Sequence, residues 1–202
     1  MARIVLFLLA TTLVHAEPRL FFSKDFPGSQ PAYVGISCNR QGLCEYREAT
    51  DDDRPLKLQL AETEINTIYE LADKLDRFSR PLESPLKVAK MGMKTFRFED
   101  GDKKSEVQFN FSEDLDARSL TDWFERISEA GQLYYSLERT VKYDKLGVNQ
   151  SLMHLETTMS RGRLVSGPVF LPLLDRVINN GAYLNLARNR AKGLAAVIRG
   201  AK

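Results

Sequence analysis

The 202-residue chain carries 29 Lys and Arg against 27 Asp and Glu, a formal net charge of +2, so its overall charge calls for no polyanionic partner such as nucleic acid. Two histidines and two cysteines argue against zinc held by several histidines, Ser/His/Asp catalysis and Cys/His catalysis. The charge is unevenly placed: residues 17–144 hold 25 acids against 19 bases, whereas residues 145–202 hold 2 acids against 9 bases.

Residues 1–16 read as a cleavable signal peptide. Arg3 is the charged start, Ile4 to Val14 are apolar except for Thr11 and Thr12, and Val14, His15, Ala16 form the cleavage site. These eleven residues reach about half-way across a ~30 Å hydrocarbon core. The expected product begins at Glu17, has no transmembrane segment, and is exported, either periplasmic or secreted.

Leu20 to Ser23 is a short strand, followed by the turn-forming run Phe26, Pro27, Gly28, Ser29. Tyr33–Cys38 and Leu43–Glu48 then form a hairpin. Gly42 takes the left-handed bulge position of its turn, and Cys38 stands opposite Cys44. That register turns Val34, Ile36, Cys38, Cys44 and Tyr46 inward and Ser37, Glu45 and Arg47 to water. In an oxidising compartment Cys38 and Cys44 are predicted to form a disulfide, the alternative being two buried thiols. Asp51, Asp52 and Asp53 read as a solvated loop rather than a calcium site, whose acids would alternate.

Leu56, Leu58 and Leu60 alternate as a third strand of this meander. The period changes at Ala61: Ile65, Ile68, Ala72, Leu75 and Phe78 mark one face of a helix over residues 62–78. Residues 79–93 show neither period and form a long loop. Its two readings are an anchored loop pinned by Pro81, Leu82, Leu86 and Val88, and a binding rim carrying Arg80, Glu83, Lys87 and Lys90. A second hairpin pairs Phe96 and Phe98 with Val107, Phe109 and Phe111 through residues 99–102. Ser112 is the expected cap of a long helix that opens with Glu113 and Asp114. The helix's inward stripe, Leu120, Trp123, Phe124, Ile127, Tyr134, Leu137 and Val141, brings Trp123 and Phe124 against the four phenylalanines of the hairpin.

The fold class is therefore α+β: an antiparallel sheet of two hairpin or meander units with two helices on one face, over residues 17–144. Residues 145–202 form a C-terminal helical segment. Its last helix buries Leu184, Ala187, Ala191, Leu194 and Ile198 and sets Arg188, Lys192 and Arg199 on a neighbouring face. That basic face either lies against the acidic body or stays open toward an anionic surface.

Little of this is catalytic. His154 sits alone in a helical run, and Gly92 is alone in residues 90–94, so neither a deaminase signature nor a phosphate loop is present. No cofactor or metal is implied. Asn110 and Asn149 head NxS sequons, with Asn110 expected to face solvent. The stretches FSKDFPGSQPAYVGI (22–36), DRFSRPLESPLKVAKMGMKTFRFEDG (76–101), LTDWFERISE (120–129) and LERTVKYDKLGVNQSL (137–152) together resemble an uncharacterised family of exported bacterial proteins found in Acidobacteria. The resemblance implies a bacterial source and export, with no assigned activity and no functional residues.

Compartment and composition favour a non-catalytic binding module for a protein or envelope component, with weak contact to an anionic surface through the basic last helix. Two other readings stand beside it: a metal-free hydrolase working through two carboxylates, and a structural envelope protein.

Overall fold

A computed structural model of the chain describes residues 17–200. The predicted signal peptide, residues 1–16, lies outside the described residues. Six strands, β1 (Arg19–Asp25), β2 (Tyr33–Asn39), β3 (Leu43–Arg47), β4 (Leu56–Gln59), β5 (Met93–Asp100) and β6 (Lys103–Phe109), form one antiparallel sheet of order β4-β3-β2-β1-β5-β6. The helices are α1 (Glu62–Lys74), α2 (Leu115–Tyr143), α3 (Val148–Ser160), α4 (Leu171–Ile178) and α5 (Asn185–Gly200). The architecture is α+β with a C-terminal helical segment.

Alternation decides which face of the sheet is buried. Leu20, Phe22, Val34, Ile36, Tyr46, Leu58, Phe96 and Phe98 point inward and are all buried. Cys38 pairs with Cys44 in register and the two are joined as a disulfide with Cα atoms 4.1 Å apart. Gly42 has φ +79° in the turn, where Asn39 Oδ1 also accepts the Leu43 amide at 2.9 Å. On the outer face Ser37 is buried rather than wet, because its larger cross-strand neighbours Phe21 and Glu45 shade it. The Arg97 guanidinium stacks 3.9 Å over the Phe21 ring on the same face.

Three expectations about the helices are corrected. The helix after β4 ends at Lys74, and residues 76–78 form a short 3-10 turn in which Asp76, Arg77 and Phe78 all have positive φ. Ser105 donates its hydroxyl hydrogen bond to the Arg77 carbonyl, and the reversal drives Phe78 into the core, 5.1 Å from Phe96. The cap of α2 is Asp114, which accepts the amides of Asp116 and Ala117 at 2.9 and 3.2 Å; Ser112 only accepts the Asp114 amide at 3.3 Å. On α2 it is Phe124 that enters the core, stacked 4.9 Å from Phe22. Trp123 is half-buried beneath the Arg126 guanidinium, 4.1 Å away.

The core has two parts that share α2. One lies between the sheet, α1 and the first half of α2; the other gathers Leu137 and Val141 of α2 with Leu152, Phe170, Leu174, Ala187, Ala191 and Leu194. Leu184, expected inside, is 51% exposed, since α5 begins only at Asn185. Ser166, with φ +53°, accepts the Gln59 amide at 2.9 Å and so ties the helical segment to the edge strand β4.

Candidate functional site

A cleft of about 510 Å³ lies on the helical side of the sheet. One wall is the middle of α2, where Glu125, Ser128, Glu129, Gln132, Leu133 and Ser136 fall on one face. The β1–β2 connection supplies Ser29, Gln30 and Pro31, the strands supply Lys24 and Val34, and α3 supplies His154. The connection is held in shape by Ser29, whose hydroxyl lies 2.8 Å from the Phe26 carbonyl and 2.7 Å from the Pro31 carbonyl.

The charges in the cleft are partly satisfied. Glu129 accepts from the Thr158 hydroxyl at 2.9 Å and from Arg163 Nε at 3.1 Å, so both its oxygens are engaged. Arg163 also reaches Asp122 at 2.9 Å, and these carboxylates raise its pKa further. Glu125 faces Lys24, 3.7 Å away. Gln132 donates to the Ser128 hydroxyl at 2.9 Å, which fixes the orientation of its amide.

Behind Lys24 stands an unusual neighbour. Lys94 is directly opposite Lys24 in the β1–β5 ladder and also points inward, and it is buried. Like charges directly opposite destabilise a strand pair. The Lys94 ammonium donates to the Asn110 carbonyl at 2.7 Å. Burial, and then Lys24, lower its pKa, against the raising influence of Glu125 and Glu83. Lys94 borders a second cavity, of about 190 Å³, which it shares with Glu125, Phe109 and Thr121. The alternation of MKTFRFED, which puts Lys94 on the face of Phe96 and Phe98, was the sequence signal for this lysine.

None of the sequence-predicted binding residues lines the cleft. Arg80 pairs with the cap of α2, its Nη2 donating to Asp114 at 2.6 Å. Glu83 accepts the Asn110 amide at 2.5 Å. Lys87 and Lys90 are exposed. On the last helix, Arg188 donates to the Ile178 carbonyl at 3.1 Å and Arg199 holds Asp175 through two bonds of 2.6 and 2.8 Å, while Lys192 is exposed. Two of the three residues of that basic face are thus engaged in fastening α5 to α4.

Asn110, expected to point to solvent, instead clamps the 79–92 loop: its Oδ1 accepts the Met91 amide at 2.7 Å and its Nδ2 donates to the Ala89 carbonyl at 3.0 Å. His154 is exposed at the cleft edge. Among the described residues no three His, Cys, Asp or Glu side chains are grouped to hold a metal ion, and no helix is long and apolar enough to cross a membrane. No protein-family model and no curated protein matches the chain.

Proposed function

We propose that the protein is an exported, non-catalytic binding module that holds a polar envelope component in the cleft between α2, α3 and the β1–β2 connection. The observation that carries this reading is the convergence of Lys24, Ser128, Gln132, Ser136 and His154 on one cleft whose walls are rigid elements. Its donors and acceptors suit hydroxyl and amide groups, and Pro31, Val34 and Leu133 supply an apolar floor. Export is supported by the signal-like residues 1–16 and by the disulfide, which persists in oxidising compartments.

The carboxylate hydrolase draws support from Glu125 and Glu129, one helical turn apart and both on the cleft wall. Binding is the better reading because Arg163 and Thr158 occupy both oxygens of Glu129 and Lys24 faces Glu125.

The test is a titration of the protein with soluble cell-wall fragments, followed by calorimetry and by amide NMR shifts. Saturable shifts confined to residues 24–34, 125–136 and 154, weakened by Gln132→Leu and by His154→Ala, are the expected result. Saturable binding with shifts elsewhere overturns the assignment of the cleft. Turnover of the fragments, abolished by Glu125→Gln, replaces binding with hydrolysis.

A further inference from the structure

The 79–92 loop has a construction that folding alone does not require. One of its two readings from the sequence had it pinned to the core by Pro81, Leu82, Leu86 and Val88, but only Leu82 among these is buried. Leu86, Val88, Met91 and the first residue of β5, Met93, are 54%, 40%, 57% and 48% exposed. Polar groups hold the backbone instead. The Ser84 amide donates to the Phe111 carbonyl at 2.8 Å, the Ser84 hydroxyl to Glu113 at 2.8 Å, and Asn110 clamps residues 89 and 91. Four large apolar side chains are thereby presented to water from an anchored backbone.

The charge within the segment is of one sign. Residues 85–93 contain Lys87 and Lys90 and no acid; the acids beside it are Glu83 and Glu113, hydrogen-bonded to the Asn110 amide and to Ser84, and Asp25, opposite Met93. A segment that alternates exposed apolar groups with free cations matches a surface that is apolar inside and anionic at its rim. The basic face of α5 is a poorer match, because Arg188 and Arg199 are already bonded within the fold.

We propose that residues 85–93 dock the protein on an anionic lipid bilayer, with Leu86, Val88, Met91 and Met93 entering the acyl boundary and Lys87 and Lys90 lying among the headgroups. This goes beyond the cleft and does not depend on what the cleft binds.

The experiment is sedimentation of the chain from Glu17 onward, which contains every described element, with vesicles of phosphatidylcholine alone or with about one-third phosphatidylglycerol. The expected result is binding to the anionic vesicles only, weakened as salt rises. Lys87→Gln with Lys90→Gln lowers the partition coefficient about twenty-five-fold, at roughly five-fold per cation near the surface. Leu86→Ser with Met91→Ser abolishes binding, while Arg188→Gln with Lys192→Gln and Arg199→Gln leaves it intact. Thermal melts of the variants check that the fold persists. A readout that needs no variant is methyl NMR with spin-labelled lipid in the anionic vesicles, which quenches Met91 and Met93 more strongly than Met153 and Met159. Three results overturn the proposal: no sedimentation with either vesicle, equal sedimentation with both, or no excess quenching of Met91 and Met93 by spin-labelled lipid in vesicle-bound protein. Capture of a protein by this loop in the absence of lipid binding assigns it to a protein partner instead.

Discussion

Gly131 of α2 lies flat against the ring of Tyr46 on β3. A Cβ at position 131 would stand 2.4 Å from Tyr46 Cδ1 and 2.6 Å from Cε1. The ring has no easy retreat, because its hydroxyl donates to Glu48 at 2.8 Å and the Tyr135 ring packs 5.9 Å from it. Glycine in mid-helix costs about 1 kcal/mol in propensity relative to alanine, so Gly131→Ala would stabilise an isolated helix. In the folded protein overpacking of about 1–3 kcal/mol wins. Urea unfolding of Gly131→Ala is expected to show a net loss of up to about 2 kcal/mol, and in a Tyr46→Leu background the same substitution is expected to cost much less.

Phe124 and its neighbour Trp123 make opposite predictions. Phe124 is fully buried between Phe22 and Phe96, so Phe124→Ala costs about 3–5 kcal/mol. At roughly 2–4 °C per kcal/mol for a chain of this size, the melting temperature falls by about 10 °C. Trp123 packs on the rim beneath Arg126, and Trp123→Ala shifts melting by only a few degrees. Calorimetry of the two variants checks the order.

The cap of α2 predicts an acid response. Asp114 has its pKa lowered, first by the hydrogen bond from Arg80 and then by the Ala117 and Asp116 amides. A lowered folded pKa means that the unfolded chain takes up the proton first as pH falls. The contribution of Asp114 is therefore complete above its unfolded value of about 4 and is lost as pH drops through the folded one. Asp114→Ala removes the cap, costing about 1 kcal/mol at neutral pH. It also flattens the stability profile below about pH 4, which denaturation at pH 7, 4 and 2.5 measures.

The disulfide closes a loop of sequence separation 6, for which chain entropy gives about 2 kcal/mol. Cys38→Ala with Cys44→Ala is expected to lower stability by roughly that amount while leaving the hairpin in register, since Gly42 and the Asn39 side chain still define its turn. Unchanged cross-strand NMR contacts between positions 38 and 44 check the register, and urea unfolding checks the magnitude.

The sheet was legible in the sequence because its rules are local. Alternation placed Val34, Ile36, Tyr46, Phe96 and Phe98 inward, and the Asn39–Gly42 turn set Cys38 opposite Cys44. The end of α1 was not legible, because three consecutive non-glycine residues in the left-handed region are sustained by a distant partner, Ser105. The loop after it kept two readings for a related reason. Leu86 and Val88 look alike whether they face core or water, and the Asn110 clamp that decides the matter comes from another strand's end. The cleft was invisible because its residues come from three separated stretches, 24–34, 125–136 and 154, none of which carries a signature on its own.

The 29 residues of α2 extend for about 43 Å and furnish side chains to both parts of the core. A backbone nick between Asp144 and Lys145 would leave the first fragment with Leu137 and Val141 bare and the second without the surface on which Leu152, Phe170 and Tyr183 close. The Tyr183 hydroxyl, which donates to the Val141 carbonyl at 2.8 Å, would lose its acceptor with it. Neither fragment is expected to fold alone, whereas the two together should reassemble without a peptide bond between them. The long helix makes complementary halves of what the charge asymmetry presents as two unlike regions.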